Sequence, residues 1–161
     1  MPQTSVSLEP SAALLGQLAD SQGVVDIVSG VMETAAGCAF GRILSQGSAT
    51  KGVKVPTADA DALTLLGAVL RQDMQEPTTP SIEQKDAVSL VKKGRIWLEA
   101  AGTLTNAMNG RTDGTAVYLV HTGADAGLLS PTDDANTVRV YGIRVLRGAT
   151  DGNLALVEMD L

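Results

Sequence analysis

The amino-acid sequence predicts an all-β fold, a sandwich or barrel of about seven to nine short strands, with an extended N-terminal arm containing at most a short helix. Three observations predict it. Apolar runs are short, rich in Val, Leu and Ile, and several alternate with polar residues at the period of a strand. The 17 glycines mostly fall between those runs, where turns belong. Aromatic residues are confined to Phe40, Trp97, Tyr118 and Tyr141, so the core has to be built from small aliphatic side chains, which suits sheets whose faces lie close together.

Residues 1–23 read as the arm and residues 24–161 as the β-rich domain. Pro2 and Pro10 forbid regular structure near them. Ser11 to Leu18 suits a short helix with Leu14, Leu15 and Leu18 on one stripe, interrupted by Gly16. A helix that short is not stable alone and needs a surface to lie on. Next come a strand over Phe40 to Leu44 and another over Val53 to Val55, stopped by Pro56. Leu63 to Leu70 is almost continuously apolar, as in a strand buried on both faces, with a helix as the alternative.

Val88 and Leu90 alternate with Ser89, then Ile96, Leu98 and Ala100 alternate with Arg95, Trp97 and Glu99, which predicts a hairpin around Lys93-Gly94. Asn109-Gly110 and Asp113-Gly114 are turn dipeptides. Val117 to Val120 is the next strand. Val138 and Val140 point one way and Ile143 and Val145 the other, so a β-bulge is expected at Gly142. Asp151-Gly152 turns the chain into a last strand, Leu154 to Met159.

A chain of 161 residues makes one domain, or one domain plus an arm, and needs no disulfide or metal to hold it. Net charge is −6 and the densest basic run, Lys92, Lys93 and Arg95, is short, so nucleic acid is not an expected partner. No apolar stretch approaches the roughly 20 residues that span a bilayer, and no membrane partner is expected. The start, Met1 to Glu9, lacks the basic and apolar regions of a signal peptide, which points to synthesis in the cytoplasm.

Catalytic and metal sites find little support. His121 is the single histidine; a nucleophilic site would use it with Asp125 or Asp133 and a serine, but no serine sits in a G-x-S-x-G elbow. The simpler reading is a polar residue closing the strand Val117 to Val120. Cys38, the single cysteine, reads as a buried inert thiol. Asp59 with Asp61, and Asp133 with Asp134, lack the spacing of a calcium loop, and Gly47 to Gly52 lacks the lysine of a phosphate loop. No catalytic residue, metal or cofactor is therefore assigned. Trp97 lies opposite Ile96 and Leu98, either as an outward interface anchor or as a cover for the edge of its own core.

Several segments in order resemble the capsid cement, or decoration, proteins of tailed bacteriophages. They are Gln17-Leu18-Ala19-Asp20-Ser21 with Asp26 and Ser29, Ala39-Phe40-Gly41-Arg42-Ile43-Leu44, Gly52-Val53-Lys54-Val55-Pro56 and Leu66-Gly67-Ala68-Val69. Val88-Ser89-Leu90 through Lys93-Gly94-Arg95-Ile96-Trp97-Leu98 is the most distinctive, and Gly152 to Val157 resembles the closing strand. The resemblance implies a non-enzymatic virion protein, made in the bacterial host cytoplasm, that decorates the outer surface of the capsid and ties major capsid protein subunits together. It also implies a homo-oligomer, with a trimer preferred and a dimer second. The residues expected to meet the capsid or a neighbouring subunit are Leu8, Leu14, Leu15, Leu18 and Asp20 in the arm, with Arg95 and Trp97 on the body. Removing residues 1–22 is expected to weaken particle binding and leave the body folded. A carbohydrate- or receptor-binding module is the alternative, and requires Trp97, Tyr118 and Tyr141 to converge on one patch.

Overall fold

The alternation of apolar residues from Ala87 to Glu99 builds one uninterrupted strand of 13 residues, and the rest of the fold is arranged along it. The computed structural model describes residues 13–19, 25–71, 81–106, 108 and 115–161. Among these are twelve strands: β1 (Asp26–Met32), β2 (Cys38–Ala39), β3 (Ile43–Gln46), β4 (Gly52–Lys54), β5 (Leu65–Val69), β6 (Ser81–Ile82), β7 (Ala87–Glu99), β8 (Val117–Val120), β9 (Leu129–Ser130), β10 (Thr137–Val140), β11 (Ile143–Arg147) and β12 (Leu154–Asp160). A 3-10 helix, Asp59–Thr64, precedes β5. The all-β class is as the sequence predicts, with the extra strands mostly two or three residues long.

The first half of β7 pairs with β1 on one side and with β5 on the other. Pairing then runs from β5 to β3, β4 and back to β1, so five strands close into a barrel. The β1–β4 contact is parallel and the others antiparallel, which makes the barrel mixed. Closure pairs the strand edges of the ring except along the start of β1, where β4 reaches only Val31 and Met32. The second half of β7 runs out of the ring and pairs with β12, which pairs with β11. A separate three-stranded sheet has the order β10-β8-β9.

Two apolar clusters follow from this arrangement. One gathers Met32, Phe40, Leu44, Val53, Val69, Ile82, Val88 and Leu90, contributed by the barrel and the strands beside it. The other joins Ile96, Leu98, Val145, Ala155 and Val157 of the outer sheet to Val117, Leu119, Leu129 and Val140 of the three-stranded sheet. The choice between barrel and sandwich therefore resolves into a barrel with a second sheet layered on the extension of its longest strand.

Four local expectations are corrected. Lys93-Gly94 does not turn the chain: each half of β7 has its own long-range partners, and Lys-Gly is not one of the dipeptides that favour a two-residue hairpin. At Gly142 the chain leaves β10 and enters β11 in a different sheet, and the register shift of this region lies between Val145 and Arg147. Leu63 belongs to the 3-10 helix and is exposed, so β5 is shorter than the apolar run, and Leu65 and Leu66 are only half-buried. The described part of Ser11 to Leu18 forms a turn and a β-bridge rather than a helix. Gly16 causes this, because its φ of +73° is left-handed. The dipeptides Asn109-Gly110 and Asp113-Gly114 lie outside the described residues.

Candidate interaction surfaces

The arm is attached to the body by backbone hydrogen bonds. Gly16 N–H donates to Trp97 O at 2.8 Å, Trp97 N–H to Gln17 O at 3.0 Å, and Ala19 N–H to Arg95 O at 3.0 Å. Leu18 forms an antiparallel bridge with Ile96, and Arg71 N–H donates to Gly16 O at 2.9 Å. Residues 16–19 thus add a strand-like segment to the second half of β7, beside the end of β5. Gly16 is needed here because a Cβ would fall 2.8 Å from Val69 O and 3.0 Å from Phe40 Cβ.

Each sequence-predicted contact residue now has a place. Leu15 packs on the barrel cluster and Leu18 on the outer cluster, so the arm bridges both cores. Leu14 points outward and is 48% exposed. Arg95 is exposed, and its Nε lies 3.3 Å from Glu158 Oε1 on the paired strand β12. Trp97 is half-buried, with its backbone held by the arm on one side and register-paired with Leu156 on the other. Leu8 and Asp20 lie outside the described residues. Tyr118 and Tyr141 flank Arg139 near the three-stranded sheet: Arg139 is the cross-strand partner of Tyr118 and its guanidinium carbon lies 5.4 Å from the Tyr141 ring centroid. Trp97 lies in the other sheet, so the three aromatics are not gathered on one sheet.

The titratable residues form structural contacts. His121 is buried at the end of β8, and its Nε2 lies 2.7 Å from Asp59 Oδ1, an approach close in distance but not aligned as a hydrogen bond. The expected orienting residues Asp125 and Asp133 are not its partners, and neither ring nitrogen reaches a serine hydroxyl. Burial pushes the Cys38 thiol up to about 12, which keeps it protonated and unreactive. Burial tends to raise the Asp61 carboxyl, but hydrogen bonds from Lys54 and Thr57 outweigh it and hold the group below its usual range. Among the described residues no cluster of His, Cys, Asp or Glu could hold a metal ion, and no helix is long and apolar enough to cross a membrane.

Glu33 organises the turn between β3 and β4. Its carboxylate accepts hydrogen bonds from Ala49 N–H and Ser48 N–H, each at 2.8 Å, and from Ser48 Oγ at 2.9 Å. These backbone bonds, Ala49 first and then Ser48, lower its pKa. The depressed value means that its contribution to stability is present above the unfolded carboxylate range and lost as pH falls through the folded value. Denaturant midpoints measured from about pH 6 to about pH 3 should fall less steeply for Glu33→Gln than for the parent. Parallel curves for the two would show that the carboxylate does not clamp the turn.

One surface escapes sequence reasoning. Val31, Met32, Glu33, Lys51, Gln84 and Lys85 help line an open groove of about 560 Å³ where β1 ends. The sequence carries no signal for it, because most of its lining comes from turns that are far apart in the chain.

A family model described as Structural cement protein (E217 gp24/Pam3 gp6) matches residues 1–160. A chain from the capsid of Myoviridae phage XM1 has a similar structure, with a TM-score of 0.72, 16% sequence identity, and coverage of 98% of this chain and 96% of that one. The base of the bacteriophage phi29 head fibre gp8.5 gives a TM-score of 0.44 at 14% identity, covering 83% of this chain and 94% of that one. Comparison with curated proteins finds no match.

Proposed function

The chain belongs to the phage structural cement protein family, and from that premise we propose that it sits on the outer surface of the capsid and ties neighbouring major capsid protein subunits together. The family is structural rather than catalytic, and the chain is a component of the phage capsid. In this reading it acts as a homo-oligomer, a trimer in preference to a dimer, closed about a local symmetry axis of the shell. Its acidic charge suits an outward position, because a protein lining the DNA side gains from basic residues.

The observation that carries the reading is the docking of residues 16–19 on β7, which leaves Leu14 outward two residues before the Gly16–Trp97 hydrogen bond. Leu15 and Leu18 anchor the arm, and Leu14, Arg95 and Trp97 present the contact surface, joined by Leu8 and Asp20. Many modest contacts of this kind, repeated over a lattice, reach high avidity. Since residues 13–19 pack on both cores, the informative truncation stops at residue 12 rather than 22. Leu14→Asp and a chain lacking residues 1–12 should melt with the parent, yet bind undecorated capsid shells about tenfold more weakly. Retention of full affinity by both variants would remove the arm from the interface.

A further inference from the structure

β1 is incompletely covered. Ile27 and Val31 on its outward side are 45% and 42% exposed, and Ser29 between them is exposed as well. β7 pairs with β1 along its length. On the other side β4 reaches only Val31 and Met32, so no described strand lies beside the Asp26–Gly30 stretch there. Val31 N–H donates to Lys51 O and Glu33 N–H to Val53 O, toward β4. Strand alternation turns the N–H and C=O groups of Ile27 and Ser29 to that same side, where no described strand pairs with them. An edge of this kind is a template for one more extended segment.

The groove at the end of this edge has a definite charge. Lys51 and Lys85 are exposed on its two walls, and neither forms an ion pair among the described residues. The Glu33 carboxylate beside them is occupied by Ser48 and Ala49, and Asp86 by the amide of Glu83. Lys85 is also the only described non-glycine residue with positive φ, at +74°. That conformation costs free energy and fixes where the Lys85 side chain leaves the turn between β6 and β7. With two lysines against the one carboxylate of Glu33, the lining keeps a formal surplus of one positive charge in a chain of net charge −6.

The geometry points to the open edge of β1 and the groove at its end as the docking site for an extended, acidic segment of the capsid shell protein. This rests on the cement reading and names the surface that would carry it. The segment continues the line of β4 along Ile27 and Ser29, packs aliphatic side chains on Ile27 and Val31, and places a carboxylate between Lys51 and Lys85. A second copy docked with its own groove at the twofold axis would bring four lysines together, and like charges across an interface are costly.

The test measures binding of purified full-length chain to undecorated shells at low and raised salt. The double variant Lys51→Glu/Lys85→Glu should bind at least about tenfold more weakly, with a reduced salt dependence. Arg147→Glu, a charge reversal at one exposed site on β11, should bind as the parent does. Lys85→Gly, which relieves the left-handed strain, should melt at or above the parent and still lose affinity. Parent-like binding by the double variant overturns the proposal and leaves the cement reading standing. A parent chain that binds no shells overturns both. Loss of self-association in the double variant, with shell affinity unchanged, also overturns the proposal and assigns the face to a second copy.

Discussion

Gly67→Ala should lower stability by about 2–6 kcal/mol, a larger effect than most single substitutions produce. A Cβ at this position of β5 falls 2.5 Å from Val91 O and 2.8 Å from the Val91 carbonyl carbon. Those atoms are backbone of β7 and cannot rotate away. The register pairs Ala68–Val91 and Val69–Leu90 close the barrel between β5 and β7, so the strand cannot retreat without opening the ring. The φ of +150° adds its own strain. At about 2–4 °C per kcal/mol for a chain of this size, the melting temperature should drop by about 5–20 °C. Gly123→Ala supplies the comparison, since Gly123 has a φ of +74° and nothing within 4 Å of its added Cβ. A melting temperature for Gly67→Ala equal to that of Gly123→Ala would mean that the β5–β7 contact is not sterically tight.

Phe40→Ala should cost about 3–5 kcal/mol, the usual range for removing a buried aromatic ring. Phe40 is 1% exposed and is the only phenylalanine in the chain. Its neighbours in the barrel cluster are mostly aliphatic, including Leu44, Val69, Val88 and Leu90, and cannot fill the space it leaves. The Arg71 guanidinium lies 5.6 Å from the ring centroid and loses that contact as well. Phe40→Leu should recover most of the loss. Guanidinium midpoints with unchanged slopes provide the measurement. Near-parent stability of Phe40→Ala would show that the barrel cluster collapses around the deletion. Because Leu15 packs on the cluster that holds Phe40, the same variant should loosen the arm, seen as faster proteolysis within residues 13–19.

Much of this could be read directly, and the reasons differ by element. β8 coincides with the predicted Val117 to Val120, and β12 extends the predicted Leu154 to Met159 by one residue. Both are alternating runs bounded by polar turns, so local pattern determines them. Family membership was legible because order and spacing of short segments carry more information than any one of them. The continuity of β7 was not legible. A glycine within a strand pattern looks the same whether the chain reverses there or proceeds, and the outcome depends on β1, β5 and β12, which are distant in sequence. The turn to a second sheet at Gly142 was hidden for the same reason. The His121–Asp59 approach joins the end of β8 to the 3-10 helix, and no spacing rule connects them. The groove beside Lys51 and Lys85 was invisible because its walls are turns brought together only by the closing of the barrel.

The shared strand also has a mechanical consequence. The arm runs antiparallel to β7, and the bonds from Gly16, Gln17 and Ala19 to Trp97 and Arg95 lie side by side across the two segments. A pull along the arm loads these bonds together in shear instead of peeling them apart in turn. The load then passes along β7 into the barrel at one end and across to β12 at the other. A molecule built in this way behaves as a tie rod, stiff along one axis and compliant across it, and the direction in which it best resists rupture is fixed by the course of a single strand.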